Sequence, residues 1–345
     1  MYKSSMRVAV ALLLPLVALA ACGDQKPAES NKASEAGSNA TTSVAVSATP
    51  SKNPCAFLTS AEVEAVLGPL AGPPFRANNG VADPNGGICR YETPAFRAIE
   101  LHVDWSDGGR TFGIMNMVQG VVNKGGLKGV FKTQEGTTLT GEWDEARLNS
   151  CCEFAALRGE QLVTVNIGAS RATVEQAAKL ADAALRRLDK PLAIDATAGN
   201  KAAQEREALR PKPRPACELL TRAEAEAITG APLSADPTGS TDSCTYAWAP
   251  AGSGLQQQIK LNVQWRGGFS EMRFAQAAMG QALSFMKSQG LDAAQEQHGS
   301  AALDEDATNI VGVMAVKKDV MFSAETGPFL ADVAHALIVK AASKL

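Results

Sequence analysis

From residue 98 the chain alternates between apolar and polar side chains. Ile99, Leu101, Val103 and Trp105 fall on one side and Glu100, His102 and Asp104 on the other, the period-2 pattern of a half-buried strand. Ile259, Leu261, Val263 and Trp265 repeat the apolar half of that pattern. Helical spacing takes over at Val174, Ala177, Ala178, Ala181, Leu185 and Leu188, and again at Leu330, Val333, Ala334, Leu337 and Ala341, which predicts two amphipathic helices. Two Thr-x-x-Glu boxes, Thr59/Glu62 and Thr221/Glu224, mark the starts of shorter helices that Gly68 and Gly230 end. After each comes a loop with Asp83-Pro84 or Asp236-Pro237, two strands, a Gly-Gly turn and a middle helix, around 110–124 and 270–288. Further strands are predicted near 152–158 and 161–167, and near 309–316 and 319–324. The order α-β-β-α-β-β-α, with neighbouring strands paired, predicts the α+β class: an antiparallel sheet covered by helices.

The recurrence is an internal repeat. Between Cys55–Gly68 and Cys217–Gly230, eight of fourteen positions are identical, and Cys89-x-Tyr91 returns as Cys244-x-Tyr246 and Asp144-Glu145 as Asp304-Glu305. Two homologous domains are therefore expected, 54–190 and 215–345. A linker at 191–214 joins them. It holds Pro211-Lys212-Pro213-Arg214-Pro215 as a stiff spacer and, at 201–210, a short exposed helix.

Ahead of the repeats, Lys3 and Arg7 precede an apolar run from Val8 to Ala18, too short to span a bilayer, which ends at Leu19-Ala20-Ala21-Cys22. That tetrapeptide resembles a lipobox. It implies that residues 1–21 are a lipoprotein signal peptide and that Cys22 is acylated, anchoring the chain in the lipid bilayer. Gly23, rather than Asp, after the cysteine implies the outer membrane, facing the periplasm, in a Gram-negative host. Residues 22–53 are expected to form a disordered tether, since Gly23–Asn53 holds no aromatic residue. By random-coil scaling its typical reach is roughly 30 Å.

Composition narrows the partners. Loss of residues 1–21 removes two basic residues and leaves 31 against 36 acidic, net −5. No basic run is present, so nucleic acid is excluded as a partner. The six cysteines beyond Cys22 are an even number, which in an oxidising compartment reads as disulfides. Cys55/Cys89 and Cys217/Cys244 occupy equivalent places in the repeat and are paired on that ground. Cys151-Cys152 has no equivalent in the second repeat. A vicinal disulfide, pairing with Cys55 or Cys89, and a soft-metal or redox site are its three readings.

The residues Cys55/Leu58/Thr59, Cys89/Tyr91, Asp144/Glu145/Ala146 and Arg158/Gly159/Glu160 carry a resemblance to a family of envelope lipoproteins of unknown function, known best from actinobacteria. The resemblance implies a secreted, disulfide-bonded α+β module without known activity. Members of that family carry one such domain, and the tandem departs from them.

No catalytic, phosphate-binding or zinc-binding motif is present in the sequence, and no cofactor is expected. His102, His298 and His335 are scattered and read as solvated. Met272, Met279 and Met286 recur every seven residues and read as core filler rather than a copper site. The sequence thus points to a membrane-tethered, non-enzymatic envelope lipoprotein that acts as a binding or interaction module. Its partner is an envelope protein or a small ligand. A carrier of a hydrophobic ligand, and an inhibitor or immunity protein against an envelope enzyme, are the alternatives.

Overall fold

The computed structural model describes residues 53–77, 85–118, 128–133, 136–149, 151–250, 252, 254–289, 303–309, 312–325 and 330–345. The expected signal peptide at 1–21, Cys22, the expected tether up to Lys52, and His298 lie outside them. In the first half come α1 (Ser60–Leu67), β1 (Phe75–Arg76), β2 (Gly86–Glu92), β3 (Ala98–Asp104), α2 (Gly108–Val118), the small hairpin β4 (Val130–Lys132) and β5 (Thr138–Thr140), β6 (Glu145–Asn149), β7 (Glu153–Arg158), β8 (Gln161–Asn166) and α3 (Val174–Leu185). Helix α4 (Ala196–Leu209) follows. The second half contains α5 (Arg222–Thr229), β9 (Thr238–Gly239), β10 (Ser243–Trp248), β11 (Gln257–Gln264), α6 (Gly268–Ser288), β12 (Glu305–Asn309), β13 (Gly312–Lys317), β14 (Val320–Glu325) and α7 (Ala331–Ala342).

The capping boxes form as the sequence predicts. Thr59 and Thr221 each accept from the backbone N–H three residues on, and Glu62 and Glu224 reach back to the cap N–H. The strands make two antiparallel sheets, ordered β1-β2-β3-β8-β7-β6 and β9-β10-β11-β14-β13-β12. Leu101 sits between Cys89 and Val165; Leu261 sits between Cys244 and Ala324. On one face of the first sheet Tyr91, Ile99, Leu101, Phe154 and Val163 pack against α1 and α3. On the matching face of the second, Tyr246, Ile259, Leu261 and Phe322 pack against α7. The opposite faces carry the middle helices, with Phe112 of α2 on Ala155 and Leu162, and Met272 of α6 beside Val316 and Met321.

Each sheet has six strands, not the four the pattern suggests. The additional ones are edge strands: β1 and β9 of two residues, and β6 and β12, which begin at the glutamates of the repeated Asp-Glu pairs. Asp144 accepts from the Gly159 N–H and Asp304 from the Lys318 N–H, both at 2.7 Å. Each aspartate thereby ties the start of an edge strand to the neighbouring hairpin turn. Strands this short expose too few residues for a period to show.

The two Gly-Gly turns have a steric reason. A Cβ on Gly108 would lie 2.5 Å from the Leu162 nitrogen, and one on Gly268 2.7 Å from that of Met321. Glycine lets each middle helix start against its sheet, and the Gly108 and Gly268 N–H groups donate to the Glu160 and Asp319 carbonyls at 3.0 and 2.9 Å.

The segment between the halves differs from the expected exposed linker. Residues 50–345 form one compact unit, and α4 buries Gly199, Ala202 and Arg206. A glycine, an alanine and an arginine give no apolar stripe, so the buried side of α4 is silent in the sequence. Its approach to β1 is close enough that a Cβ on Gly199 would lie 2.8 Å from the Pro74 carbonyl oxygen.

Charge closes the seam. The Glu92 side chain, 1 % exposed, accepts from Arg90 and Arg206 at 3.2 Å and from Arg210. Arg210 also binds Asp319 of the second half at 2.8 Å, and Asp319 is 4 % exposed in its side chain. Arg206 and Arg210 lie over the Phe96 ring, at 4.1 and 4.8 Å from its centroid. At the rim, Glu305 holds Arg97 and Arg171, and Arg97 covers Phe269. Phe96, Ala98 and Ala169 meet Phe269, Met272 and Val316 as an apolar cluster across the seam.

Two predictions follow from burial. Glu92→Gln leaves arginine charge uncompensated in the interior and should lower unfolding stability by about 3 kcal/mol, whereas Glu305→Gln at the rim should cost about 1 kcal/mol or less. Urea melts of residues 53–345 decide, and equal costs would remove Glu92 from its central place. The tyrosines offer an internal control. Tyr91 Oη donates to the Leu58 carbonyl at 3.1 Å, while the equivalent Tyr246 Oη is buried without a partner among the described residues. Tyr91→Phe should cost about 1 kcal/mol and Tyr246→Phe nothing, or a slight gain, in the same melts.

Candidate functional site

Three disulfides fix the framework. Cys55 lies in a 3-10 turn, Pro54–Ala56, and bonds to Cys89 on β2; Cys217 lies in another, Ala216–Leu219, and bonds to Cys244 on β10. Each bridge thus holds the turn ahead of the first helix, rather than the helix itself, to the sheet. Their separations of 34 and 27 residues are worth roughly 3.5–4 kcal/mol apiece in the chain-entropy treatment. Cys151 bonds to Cys152 in the turn between β6 and β7. Closing a loop of one residue is worth only about 1 kcal/mol on the same scale.

The surfaces that the framework presents are unequal. Five large apolar side chains stand exposed among the described residues: Ile114, Ile194, Leu209, Leu255 and Phe274. Ile114 lies nine residues after Trp105 and Phe274 nine after Trp265, so two of the five occupy one position on the two middle helices. Two residues earlier on each helix, Phe112 and Met272 point into the sheet at 4 % and 0 % exposure. The inner position anchors the helix; the outer one, 48 % exposed in Ile114 and 58 % in Phe274, has no such reason to be apolar. Further along α6, Met279 and Met286 are half-buried, so only Met272 of the three methionines is a core residue. Sequence reasoning missed Ile114 and Phe274. The signal was available in the Trp-to-helix spacing, but exposure is a property of the packed helix and not of its composition.

A second concave feature lies at the entry to the first half. Leu58, Pro73, Pro74, Phe75, Leu192 and Ile194 wall an open cleft of about 400 Å³ between α1, β1 and the start of α4. Asn53, Thr59 and Asp195 edge it, and Asp195 is engaged in capping α4 through the Thr197 and Ala198 N–H groups. The volume is at the lower end of small-molecule sites.

The polar side of β3 carries charge. Glu100 accepts from Arg90 at 2.7 Å and lies 3.4 Å from His102 Nε2. Burial alone would raise the Glu100 carboxyl, but its hydrogen bond with His102 and the Arg90 charge outweigh that and hold it down to about 2. His102 thus has Glu100 as a hydrogen-bond partner and is not a lone solvated ring, and His335 is half-buried on α7. Asp104 is used as a local cap, accepting from the Ser106 and Asp107 N–H groups and from Thr111 Oγ1. Among the described residues no three His, Cys, Asp or Glu side chains form a group that could hold a metal ion. No described helix is long and apolar enough to cross a membrane.

Comparison with protein-family models, with curated proteins and with solved structures finds no match to this chain.

Proposed function

We propose that the protein is a membrane-tethered, non-enzymatic envelope lipoprotein. In this reading it is built from two copies of one α+β module and binds a partner through the outer faces of its two middle helices. The observation that carries the reading is the matched exposure of Ile114 and Phe274. Isolated apolar residues on a surface need no explanation, but the same position exposed in both halves does. The identical strand orders and the paired Gly108/Gly268 contacts support two copies of one module at 54–190 and 215–345, with 191–214 between them. Held in one compact unit, two such faces engage a partner with two contact points at fixed spacing, which raises affinity through the second contact.

The partner is an envelope protein in this reading, and no nucleic acid or cofactor is involved. The signal peptide at 1–21, acylation of Cys22 and the tether to Asn53 place the module beside a bilayer. In a Gram-negative host that is the periplasmic face of the outer membrane. The cleft beside Ile194 favours a second reading, a carrier of a small hydrophobic ligand.

A photo-crosslinking amino acid at 114 or at 274 should each yield a discrete adduct in envelope membranes. The same probe at Leu255, which is 73 % exposed and has no paired counterpart, should not. Adducts at all three positions, or at none, would remove the helix faces as the binding surface. In the second case, binding of an apolar dye abolished by Ile194→Trp would move the reading to the carrier. The anchor is checked separately: Cys22→Ala should abolish incorporation of a clickable fatty acid, and label retained in the variant would end the lipoprotein reading.

A further inference from the structure

The Cys151–Cys152 bond is set apart from the other two disulfides in two ways. It has no counterpart in the second half, where β12 and β13 pair with Asn309 opposite Gly312 across a turn one residue shorter than that between Asn149 and Glu153, and that hairpin contains no cysteine. The bond closes the smallest possible loop, whereas the other two each join a separate turn to the sheet across 34 and 27 residues. By linkage, a fold strongly protects a disulfide that strongly stabilises it, so the core defends Cys55–Cys89 and Cys217–Cys244 far more than this pair. Access separates it from one of the two: Cys55 and Cys89 are 2 % and 0 % exposed, while Cys151 is half-buried in its turn and Cys152 is 6 % exposed; Cys217–Cys244 pairs a half-buried residue with one 0 % exposed, so there the loop size makes the difference.

We propose that Cys151–Cys152 is a thiol–disulfide exchange site that accepts two electrons from a dithiol. A thiolate of the incoming dithiol attacks Cys151 Sγ, on the more exposed of the two residues. The Cys151–Cys152 bond breaks as the mixed disulfide forms, and Cys152 leaves as a thiolate that takes a proton from water. The second thiolate of the reductant then attacks its own sulfur in the mixed disulfide. Cys151 is released as a thiolate that is protonated in turn, and the reductant departs as a cyclic disulfide. Two protein thiols and one oxidised dithiol result, and the reverse sequence restores the bond. The exchange alters the β6–β7 turn alone. The bond from the Cys152 N–H to the Asn149 carbonyl lies within that turn, while the one from the Ile167 N–H to the Cys152 carbonyl, at 2.8 Å, ties the end of the turn to the residue after β8.

The test uses the full chain under native conditions with graded dithiothreitol, acid quenching, differential alkylation and peptide mapping. Cys151 and Cys152 should become labelled at a reductant concentration at least about tenfold below that required by either other pair, with the circular dichroism spectrum unchanged. Joint reduction of the three bonds, earlier reduction of Cys217–Cys244 or Cys55–Cys89, or labelling only on unfolding would overturn the proposal. A second arm removes the pair. Cys151→Ser/Cys152→Ser should fold, show no low-concentration step and melt within a few degrees of the wild type. Failure of that variant to fold would make the bond part of the scaffold and would equally overturn the exchange site.

Discussion

A carboxylate with a side chain 1 % exposed needs partners for both its oxygens, and Glu92 has three guanidinium groups. Two of them come from a segment outside both sheets: Arg206 from α4, and Arg210 as the residue that ends it. The requirement therefore draws α4 against β1, where Gly199 permits the contact, and Arg210 carries the pairing on to Asp319 in the second half. Asp319 in turn accepts from the Gly267 and Phe269 N–H groups at the start of α6. One buried charge thus links the end of β2, the connecting helix, the β13–β14 turn and the root of the second middle helix. The charges in this buried network balance: Arg90, Arg206 and Arg210 against Glu92, Glu100 and Asp319. Such a network adds less to net stability than to the choice of one arrangement over others, because any shifted docking leaves a buried charge without its partner.

Phe96 shows what the arrangement demands locally. Its φ of 65° is a left-handed conformation, unfavourable for a bulky residue by about 1–2 kcal/mol. The conformation is held by a turn in which the Phe96 N–H donates to the Thr93 carbonyl at 3.0 Å. Its ring then receives two guanidinium groups while also touching the apolar seam cluster. Cation–aromatic contact, worth more when desolvated, offsets the backbone cost.

How much of this was legible depended on range. The period-2 strand at Ile99–Trp105, the Thr59 and Thr221 capping boxes and the glycine helix ends were readable because each is a statement about residues a few positions apart. The cysteine pairings of the two halves were readable because the repeat supplied a second copy of the spacing. The seam was not. Arg206 and Arg210 lie in a stretch of Ala, Glu and Arg whose local pattern is that of a solvated helix, and their partners are more than a hundred residues away in sequence. The edge strands β6 and β12 were hidden for the opposite reason, since each is a five-residue run that opens on an acidic residue and shows no clear period. At the candidate site, the position of Ile114 and Phe274 was implicit in the repeat, but only the packing of Phe112 and Met272 beneath them shows which side of each helix is left outward.

The same comparison shows why the two halves are not interchangeable. Both middle helices begin with a glycine pressed onto a hairpin strand and both turn one apolar residue into the sheet. Beyond that point their surroundings part. The start of α6 is covered by the first half: Phe269 lies under Arg97, and Arg273 donates to the Ala172 carbonyl at 3.3 Å. The residue equivalent to Phe269 on α2 is Gly109, and α2 carries no such cover from the second half among the described residues. A symmetric pair of modules would place both helices in one environment; docking through Asp319 instead consumes one flank of α6 and leaves α2 open. The outward position nevertheless stays apolar on both. Docking therefore sets the spacing and tilt between two similar apolar contacts without covering either. The proposed two-point binding requires that geometry, and the geometry follows from where a single buried carboxylate finds its counterions.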